Sequence, residues 1–203
     1  MKKNILKLIK SYEIIFWDFD GVIKESNEIK AEAFIRLFNF ASPDIKKKIR
    51  RHHYDNLGIS RFKKIPLYMK WSNLSLNNKN TVNILNKLSK ILIKEVSSSK
   101  WIKGVYGYIK SSHKKQTFIL LTATPQKEID IILKKIKIYN NFFQIYGSPL
   151  NKTKVIRDFI TDNKIKKNII LFIGDSESDY KSAMKNEISF LLRKNVYNQT
   201  LQS

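Results

Sequence analysis

The chain has 203 residues, 42% of them hydrophobic, which allows one sizeable core with a small insertion but not two large independent domains. It contains no cysteine, so disulfides and thiol chemistry are excluded, and any bound metal must have oxygen or imidazole ligands. No stretch approaches the roughly 20 apolar residues of a membrane span, and residues 1–10 lack the apolar region of a signal peptide. We therefore expect a cytoplasmic protein with no membrane partner.

The net charge of +22 raises the question of nucleic-acid binding, because clustered lysine and arginine side chains neutralise phosphates. The lysines are spread over every segment, which favours a compositional bias over a selected binding face. The densest basic block, residues 46–53, is typical of a solvated helix face. Nucleic acid is therefore disfavoured as a partner, although a basic nucleic-acid-binding protein without catalytic activity stays an alternative.

The first predicted strand spans residues 13–18. It is a short run of isoleucines and aromatic residues that ends in Asp18, with Asp20 and Gly21 close behind. A buried parallel strand delivers functional side chains at its carboxyl end in this way.

The stretch from residue 25 to residue 99 has helical periodicity and is far longer than a single crossover helix requires. Apolar stripes predict helices over residues 29–40, 60–71 and 82–96. We interpret residues 25–99 as an inserted α-helical cap. Gly104 then lies near the return into a catalytic core that comprises residues 1–24 and 100–203.

Apolar runs predict four further strands in the second half of the chain, over residues 117–122, 142–146, 168–173 and 187–192. Residues 155–160 continue the pattern as a helix. This alternation predicts an α/β fold with a doubly wound parallel sheet, whose ligands bind beyond the carboxyl ends of the strands.

Two details of the second half follow from local signals. After the second strand, Thr124 is suited to cap a helix and Pro125 to occupy its first position. The polar segment of residues 194–203 is expected to fray.

Carboxylates gather at the predicted strand ends. Asp18 and Asp20 can divide the work of nucleophilic attack and proton transfer, although a lone pair of this kind can also simply cap a turn. Thr122 closes the second strand, where its hydroxyl and the following amides can bind phosphate oxygens. Residues 174–179 supply further carboxylates, and such an oxygen-rich pocket suits an octahedral Mg²⁺ ion. Lys152, at the start of a helix, can neutralise a transferring phosphoryl group.

The ordered series Asp18-x-Asp20, Thr122, Lys152 or Lys154, and Gly174-Asp175-x-x-x-Asp179 resembles the four motifs of the haloacid dehalogenase superfamily. The helical insertion is similar to the cap of its beta-phosphoglucomutase and phosphoglycolate phosphatase relatives. In those relatives a proline often follows the motif lysine, whereas here proline precedes it, so Lys152 and Lys154 both stay open, with Lys152 favoured.

The resemblance implies roles for the motif residues. Asp18 forms an aspartyl-phosphate, and Asp20 protonates the leaving alcohol and then activates water. Thr122, Ala123 and Lys152 bind the phosphate. Because the second aspartate is present in members that act on phosphates, phosphoryl transfer is favoured over dehalogenation.

The resemblance also implies a Mg²⁺ site. Its ligands are the carboxylates of Asp18 and Asp175 and the backbone carbonyl of Asp20, with Asp179 as a further or outer ligand.

The cap is expected to set the substrate. The segments around Lys30 and residues 52–62 are similar to uncharacterised superfamily members associated with cell-surface polysaccharide gene clusters. Four side chains near these segments are candidate substrate ligands: Lys24, His53, Asn56 and Arg61. Arg61 suits a substrate carboxylate or second phosphate, although an ordinary ion pair explains it equally well.

The sequence therefore predicts a Mg²⁺-dependent phosphatase for a small phosphomonoester, such as a sugar phosphate or a phosphorylated amino alcohol used in glycan assembly. A phosphomutase of the beta-phosphoglucomutase type is the alternative within the same fold. The expected partner is the phosphorylated small molecule, and the protein is expected to be a monomer or a homodimer.

Overall fold

The computed structural model describes residues 3–202, apart from the side chain of Lys3, and its central feature is a parallel sheet. The five strands are β1 (Ile14–Trp17), β2 (Thr117–Pro125), β3 (Gln144–Ser148), β4 (Ile170–Gly174) and β5 (Ser189–Leu192). Their order is β3-β2-β1-β4-β5, and each neighbouring pair is parallel. The predicted α/β fold with a parallel sheet and flanking helices is confirmed.

Helices account for most of the remaining chain. They are α1 (Lys3–Lys10), α2 (Asn27–Leu37), α3 (Pro43–Asp55), α4 (Arg61–Trp71), α5 (Asn78–Ser98), α6 (Val105–Ser112), α7 (Gln126–Lys135), α8 (Lys152–Asp162) and α9 (Glu177–Lys185). Short 3-10 turns cover Tyr139–Asn141, Lys167–Ile169 and Gln199–Leu201. None of the helices in the described residues is long and apolar enough to cross a membrane.

The sheet is buried on both faces because its strands are apolar at consecutive positions. In β1, Ile14 and Phe16 point to one face, where they pack with residues of α8 and α9. Ile15 and Trp17 point to the other face and join residues of α6 and α7. This two-sided burial explains why β1 reads as a continuous apolar run instead of an alternating one.

Residues 27–98, which we call the helical insertion, contain α2–α5 and no strand, and the structure describes all of them. The apolar core on the Trp17 face of the sheet continues into the insertion through buried side chains such as Phe34, Tyr68 and Leu88. The insertion therefore packs directly on the core. Its boundary as a separate cap, predicted at residues 25–99, stays a prediction.

Two local expectations were wrong. Strand β2 continues to Pro125, and α7 begins only at Gln126, so Thr124 does not cap a helix. The hydroxyl of Thr124 instead donates to Asp20 at 3.1 Å. Residues 194–202 are also held to the core, since Asn198 is buried and its side-chain amide donates to the backbone carbonyl of Asp175 at 2.8 Å, while Ser203 lies outside the described residues.

Candidate active site

The carboxyl ends of β1 and β4 lie side by side at the point where the strand order reverses. Asp18 directly follows β1, and its backbone amide donates to the carbonyl of Ile173 in β4 at 2.9 Å. Asp175 directly follows β4. One carboxylate oxygen from each of Asp18, Asp175 and Asp179 lies within 4.8 Å of the others, and all three residues are buried. Ligands of doubly wound sheets bind at this kind of crevice.

Two glycines make room for these carboxylates. Gly21 has a φ of +72°, and a Cβ there would lie 2.0 Å from Oδ2 of Asp175. At Gly174 a Cβ would lie 2.4 Å from the Cβ of Asp179. A larger residue at either position would push a carboxylate out of the cluster.

The first turn of α9 fixes Asp179. Ser176 caps the helix, and its amide and hydroxyl donate to Oδ2 of Asp179 at 3.1 and 2.6 Å. Oδ1 of Asp179 accepts from the ammonium of Lys152 at 2.6 Å. Asp179 thus orients the lysine as well as contributing to the cluster.

Lys152 reaches the nucleophile candidate. It opens α8, where the side chain of Asn151 caps the helix. Its Nζ lies 2.7 Å from Oδ1 of Asp18. Lys154, the other lysine that the sequence left open, is exposed and pairs with Asp158 on the same helix. The structure therefore brings Lys152 and not Lys154 to Asp18.

The cluster carries more negative charge than its own cation balances. Burial raises the pKa of Asp18 well above its usual value, with Lys152 opposing the shift and Asp179 and Asp175 adding to it. Burial and the charge of Asp179 raise the pKa of Asp175 to about 7, against a hydrogen bond from Asn27. Burial lowers the pKa of Lys152, but Asp179 and Asp18 outweigh it and raise the pKa overall.

This donor set fits a divalent cation. The oxygen atoms belong to carboxylates, which are hard ligands of the kind that Mg²⁺ prefers, and the cluster lacks softer sulfur donors. Asp175 receives hydrogen bonds from the amides of Asn27 and Asn195 at 2.8 and 2.9 Å, but no ammonium or guanidinium group among the described residues forms a salt bridge with it. A cation beside Asp18 and Asp175 would relieve their repulsion.

The side chain of Asp20 is not one of the three clustered carboxylates. Its side chain forms an ion pair with Lys30 and accepts hydrogen bonds from Ser26 at 2.6 Å and Thr124 at 3.1 Å. Burial by itself raises the pKa of Asp20, but the charge of Lys30 and these hydrogen bonds outweigh it and lower the pKa. Within the protein, the carboxylate of Asp20 is therefore already paired with a cation and two hydroxyl donors.

Thr122 and Ala123 lie on the β2 side of the site. Thr122 is 2% exposed, and its hydroxyl accepts from the backbone amide of Thr124 at 3.2 Å. Ala123 lines the cavity between the sheet and the helical insertion, together with Asp18, Asp20 and Asp175. Thr122 lines a neighbouring cavity, together with Ala123 and Lys152.

That cavity has a volume of about 40 Å³ and lies under the helical insertion. From the insertion it is lined by the side chains of Asn27, Lys30, Phe34, His53, Arg61 and Lys64, among others. Of the four candidate substrate ligands, the structure brings His53 and Arg61 to this cavity.

Arg61 has a partner within the protein. Its guanidinium makes two hydrogen bonds to the carboxylate of Glu128 in α7, at 2.8 and 2.7 Å, and both residues are buried. Ser89 donates to the same carboxylate at 2.8 Å. Of the two interpretations of Arg61 that the sequence left open, this structure contains the ion pair, and the role of Arg61 as a substrate ligand stays a prediction.

Lys24 and Asn56 are not at the cavity. The ammonium of Lys24 lies 4.4 Å from the centre of the Trp101 ring and donates to the carbonyl of Ser97 at 3.4 Å. The side chain of Asn56 donates to the carbonyl of His52 at the end of α3. Both side chains have partners within the protein in this structure, and their binding of substrate stays a prediction.

The sequence did not single out several residues that complete the site. They are Asn27, Lys30, Lys64, Thr124 and Asn195. Asn27 and Lys30 stand three positions apart in α2, shortly after the first motif, and this helical spacing was the available signal. Asn195 had none, because its contact with Asp175 joins residues 20 positions apart through a loop.

Comparisons with known proteins agree with this fold and with the motifs in the sequence. The family model for haloacid dehalogenase-like hydrolases matches residues 14–192. The solved structure of CbbY from Rhodobacter sphaeroides in complex with xylulose-(1,5)-bisphosphate has a TM-score of 0.72 at 10% identity, covering 93% of this chain and 89% of that chain. No protein of curated function matches the sequence.

Two other solved structures have the same fold. A predicted phosphatase from Clostridium acetobutylicum has a TM-score of 0.67 at 19% identity, covering 92% of this chain and 86% of that chain. A candidate beta-phosphoglucomutase from Thermotoga maritima has a TM-score of 0.66 at 16% identity, covering 94% and 90%.

Proposed function

Because the chain belongs to the haloacid dehalogenase-like hydrolase family, we propose that it is a Mg²⁺-dependent phosphatase acting on a small phosphomonoester. The observation that carries this proposal is the position of Asp18. It lies at a strand end, is 4% exposed, and has an ammonium group 2.7 Å away and two further carboxylates nearby. A buried carboxylate held in this way can act as a nucleophile.

In the proposed reaction, a carboxylate oxygen of Asp18 attacks the phosphorus atom. The bond from Asp18 to phosphorus forms as the ester bond breaks, and Asp20 donates a proton to the leaving alcohol. In the second step Asp20 removes a proton from water, which attacks phosphorus, and Asp18 leaves as a carboxylate. Thr122 and Ala123 would hold the phosphate oxygens.

Lys152 and Lys30 each stabilise the ionised form of a different catalytic aspartate. Lys152 favours the ionised form of Asp18, which burial would otherwise disfavour. Lys30 favours the ionised form of Asp20, as the water-activating step requires. For Asp20 to carry a proton in the first step, Lys30 must turn away from it, and the oxygens of an arriving phosphate offer Lys30 another partner.

Asp18, Asp175 and the backbone carbonyl of Asp20 would hold Mg²⁺, with Asp179 as a further ligand. When bound, the ion would neutralise the cluster and polarise the phosphoryl oxygens. The excess negative charge around Asp175 supports this assignment.

We propose that residues 25–99 act as a cap that opens to admit substrate. The cavity that Asp18 lines has a volume of about 40 Å³, which is enough for a few water molecules but too small for a phosphate ester. Closure over the bound substrate would exclude water from the site. A sugar phosphate or phosphorylated amino alcohol, with a role in cell-surface polysaccharide synthesis, is the substrate class we propose.

A phosphomutase is the second candidate, because the candidate beta-phosphoglucomutase from Thermotoga maritima shares the fold. It would use the same residues but return the phosphoryl group to a sugar. Release of inorganic phosphate separates the two functions.

The test is phosphate release from an aryl phosphate. We expect activity that requires Mg²⁺, disappears with a chelator and falls by a factor of about 10³ or more in Asp18→Asn, because the nucleophile is lost. Turnover without metal, or a fully active Asp18→Asn variant, would contradict the proposal. A matched control is Asp158→Asn, since Asp158 is an exposed surface residue of α8.

A further inference from the structure

Three cationic side chains line the cavity in front of Asp18, and they differ in their partners. Lys30 is paired with Asp20, and Arg61 is paired with Glu128. Lys64, in α4, forms no salt bridge with a carboxylate of the described residues. Within the described part of the chain, the hydrogen-bond partners of its ammonium are Nδ1 and the backbone oxygen of His53, at 3.3 and 3.4 Å.

A positive charge on the buried side chain of Lys64 lowers the stability of the folded protein. Lys64 is 3% exposed, and burial, reinforced by the charge of Lys30, lowers its pKa to about 7 against the opposing charge of Asp20. A buried ammonium group normally has an anionic partner. Lys64 therefore has the capacity to bind an anion that the protein itself does not supply.

His53 adds a second donor beside it. It is 3% exposed, lines the same cavity, and its Nε2 has no hydrogen-bond partner among the described residues. Burial lowers the pKa of His53 well below its usual value, and the charges of Lys64 and Lys30 lower it further, so the ring is neutral. Because the ammonium of Lys64 donates to Nδ1, the ring proton belongs on Nε2.

We propose that Lys64 and His53 form a receptor for a second anionic group of the substrate, a carboxylate or a second phosphate, separate from the phosphate at Asp18. This inference rests on the proposed function, because it narrows the substrates of the same site. Both groups present hydrogen-bond donors to the cavity, and a charged donor bound to an anion makes the stronger kind of hydrogen bond. Arg61, which the sequence favoured for this task, is already satisfied by Glu128.

Binding measurements in an Asp18→Asn background test the receptor without requiring turnover. We would compare two pairs of compounds by calorimetry: 3-phosphoglycerate with glycerol 3-phosphate, and fructose 1,6-bisphosphate with fructose 6-phosphate. Within each pair the compounds differ mainly in the second anionic group, so the first pair tests a carboxylate and the second a phosphate. In at least one pair, we expect the compound with the second anionic group to bind about 10- to 100-fold more tightly, the range expected for a charge-assisted hydrogen bond.

The variant Lys64→Gln should remove most of that preference, and His53→Gln should reduce it. Lys70→Gln, an exposed lysine in the last turn of the same helix, should leave it unchanged. Circular dichroism and melting temperatures check that each variant is folded.

Equal affinity within both pairs, or an unchanged preference in Lys64→Gln, would overturn the inference. Failure of the proposed function has a different signature, because it is seen as missing Mg²⁺-dependent phosphate release by the wild-type protein. The two outcomes are therefore distinguishable.

Discussion

The ammonium of Lys152 lies between two buried carboxylates, those of Asp18 and Asp179. In Lys152→Met the two carboxylates lose their shared cation, so Asp18 becomes easier to protonate and harder to use as a nucleophile. We expect phosphatase activity to fall by a factor of about 10² or more, with a lower melting temperature. Steady-state kinetics and thermal denaturation measure both.

Lys154→Met is the matched control, because Lys154 is exposed and pairs with Asp158 within one helix. Such surface pairs contribute roughly 0–1 kcal/mol, so activity and melting temperature should stay close to the wild type. Equal losses of activity in Lys152→Met and Lys154→Met would contradict the proposal that Lys152 supports the nucleophile Asp18.

Lys64 should lower stability in a way that depends on pH. Its pKa is about 7 in the folded protein and near 10.4 in an unfolded chain, so between these values the unfolded state binds more protons. The contribution of Lys64 to folding therefore becomes more favourable as pH rises from about 7 towards 10. At or below pH 7 the buried charge is fully unfavourable.

Lys64→Met should therefore unfold at a higher temperature than the wild type at pH 6 to 7, and the difference should shrink as the pH approaches 10. Denaturation at several pH values measures it. A variant less stable than the wild type across this range would mean that Lys64 has a structural partner.

Among the site residues, the sequence predicted those that lie at the ends of apolar strands. Asp18, Asp20 and Asp175 follow apolar strands directly, so their shared edge of the sheet could be foreseen. Lys30 of α2 and Thr124 of β2 both hydrogen-bond to Asp20, and no local pattern encodes these contacts between separate elements. The same applies to the pairing of Arg61 with Glu128.

At the scale of secondary-structure elements, the ion pair of Arg61 and Glu128 joins α4 of the helical insertion to α7, which packs on the sheet. Arg61→Met leaves Glu128 buried without its cation, and we expect the free energy of unfolding to fall by about 3–5 kcal/mol. The double variant Arg61→Met/Glu128→Met should recover most of the loss, because neither charge remains. Denaturant titrations of the three proteins measure the coupling.

Arg51→Met serves as the control, since Arg51 forms an exposed pair with Asp55. A stability loss below about 1 kcal/mol is expected there. If Arg61→Met were as stable as the wild type but weakened substrate binding, Arg61 would be a substrate ligand after all.

The existence of the strands was predictable because their apolar runs are continuous, but the residues at which they end were harder to predict. Strand β2 extends to Pro125, three residues past its apolar run, because Pro125 still pairs with Ser148 of β3 after a shift in register. Helix α3 lacks a broad apolar stripe, with only Ile49 and His53 buried, so periodicity indicated it weakly.

At the scale of the whole molecule, two side-chain contacts bear on the proposed opening of the cap. Ser60, at the start of α4, donates a hydrogen bond to the hydroxyl of Ser148 at the end of β3, at 3.1 Å. On another side, the Tyr54 ring of α3 stacks on Tyr197 with 4.4 Å between ring centres. Both contacts join the helical insertion to the rest of the chain.

A disulfide between these elements would test whether opening is required. The chain has no cysteine, so Ser60→Cys/Ser148→Cys can form only that bond within one molecule. We expect the oxidised double variant to lose at least about tenfold in activity and to regain it with a reductant. Each single variant should be insensitive to the reductant, and a crosslinked protein with full activity would exclude the opening.

At this scale the sequence foretold the class of fold, because alternating strands and helices allow few arrangements. The order of the strands and the packing of the helical insertion over the cavity depend on contacts between residues far apart in the sequence, so they could not be predicted. Asn195 and Asn198 illustrate this: a tail that looked merely polar hydrogen-bonds to Asp175 and closes one side of the site.

The central claim is that Asp18 becomes phosphorylated, and trapping that intermediate tests it most directly. Asp20→Asn should slow the attack of water while still allowing a good aryl leaving group to depart, so the intermediate should accumulate. After incubation with an aryl phosphate and Mg²⁺, acid quenching and digestion, we expect the peptide containing Asp18 to gain the mass of one phosphoryl group. Phosphate release without this adduct, or the same adduct in Asp18→Asn, would contradict the account.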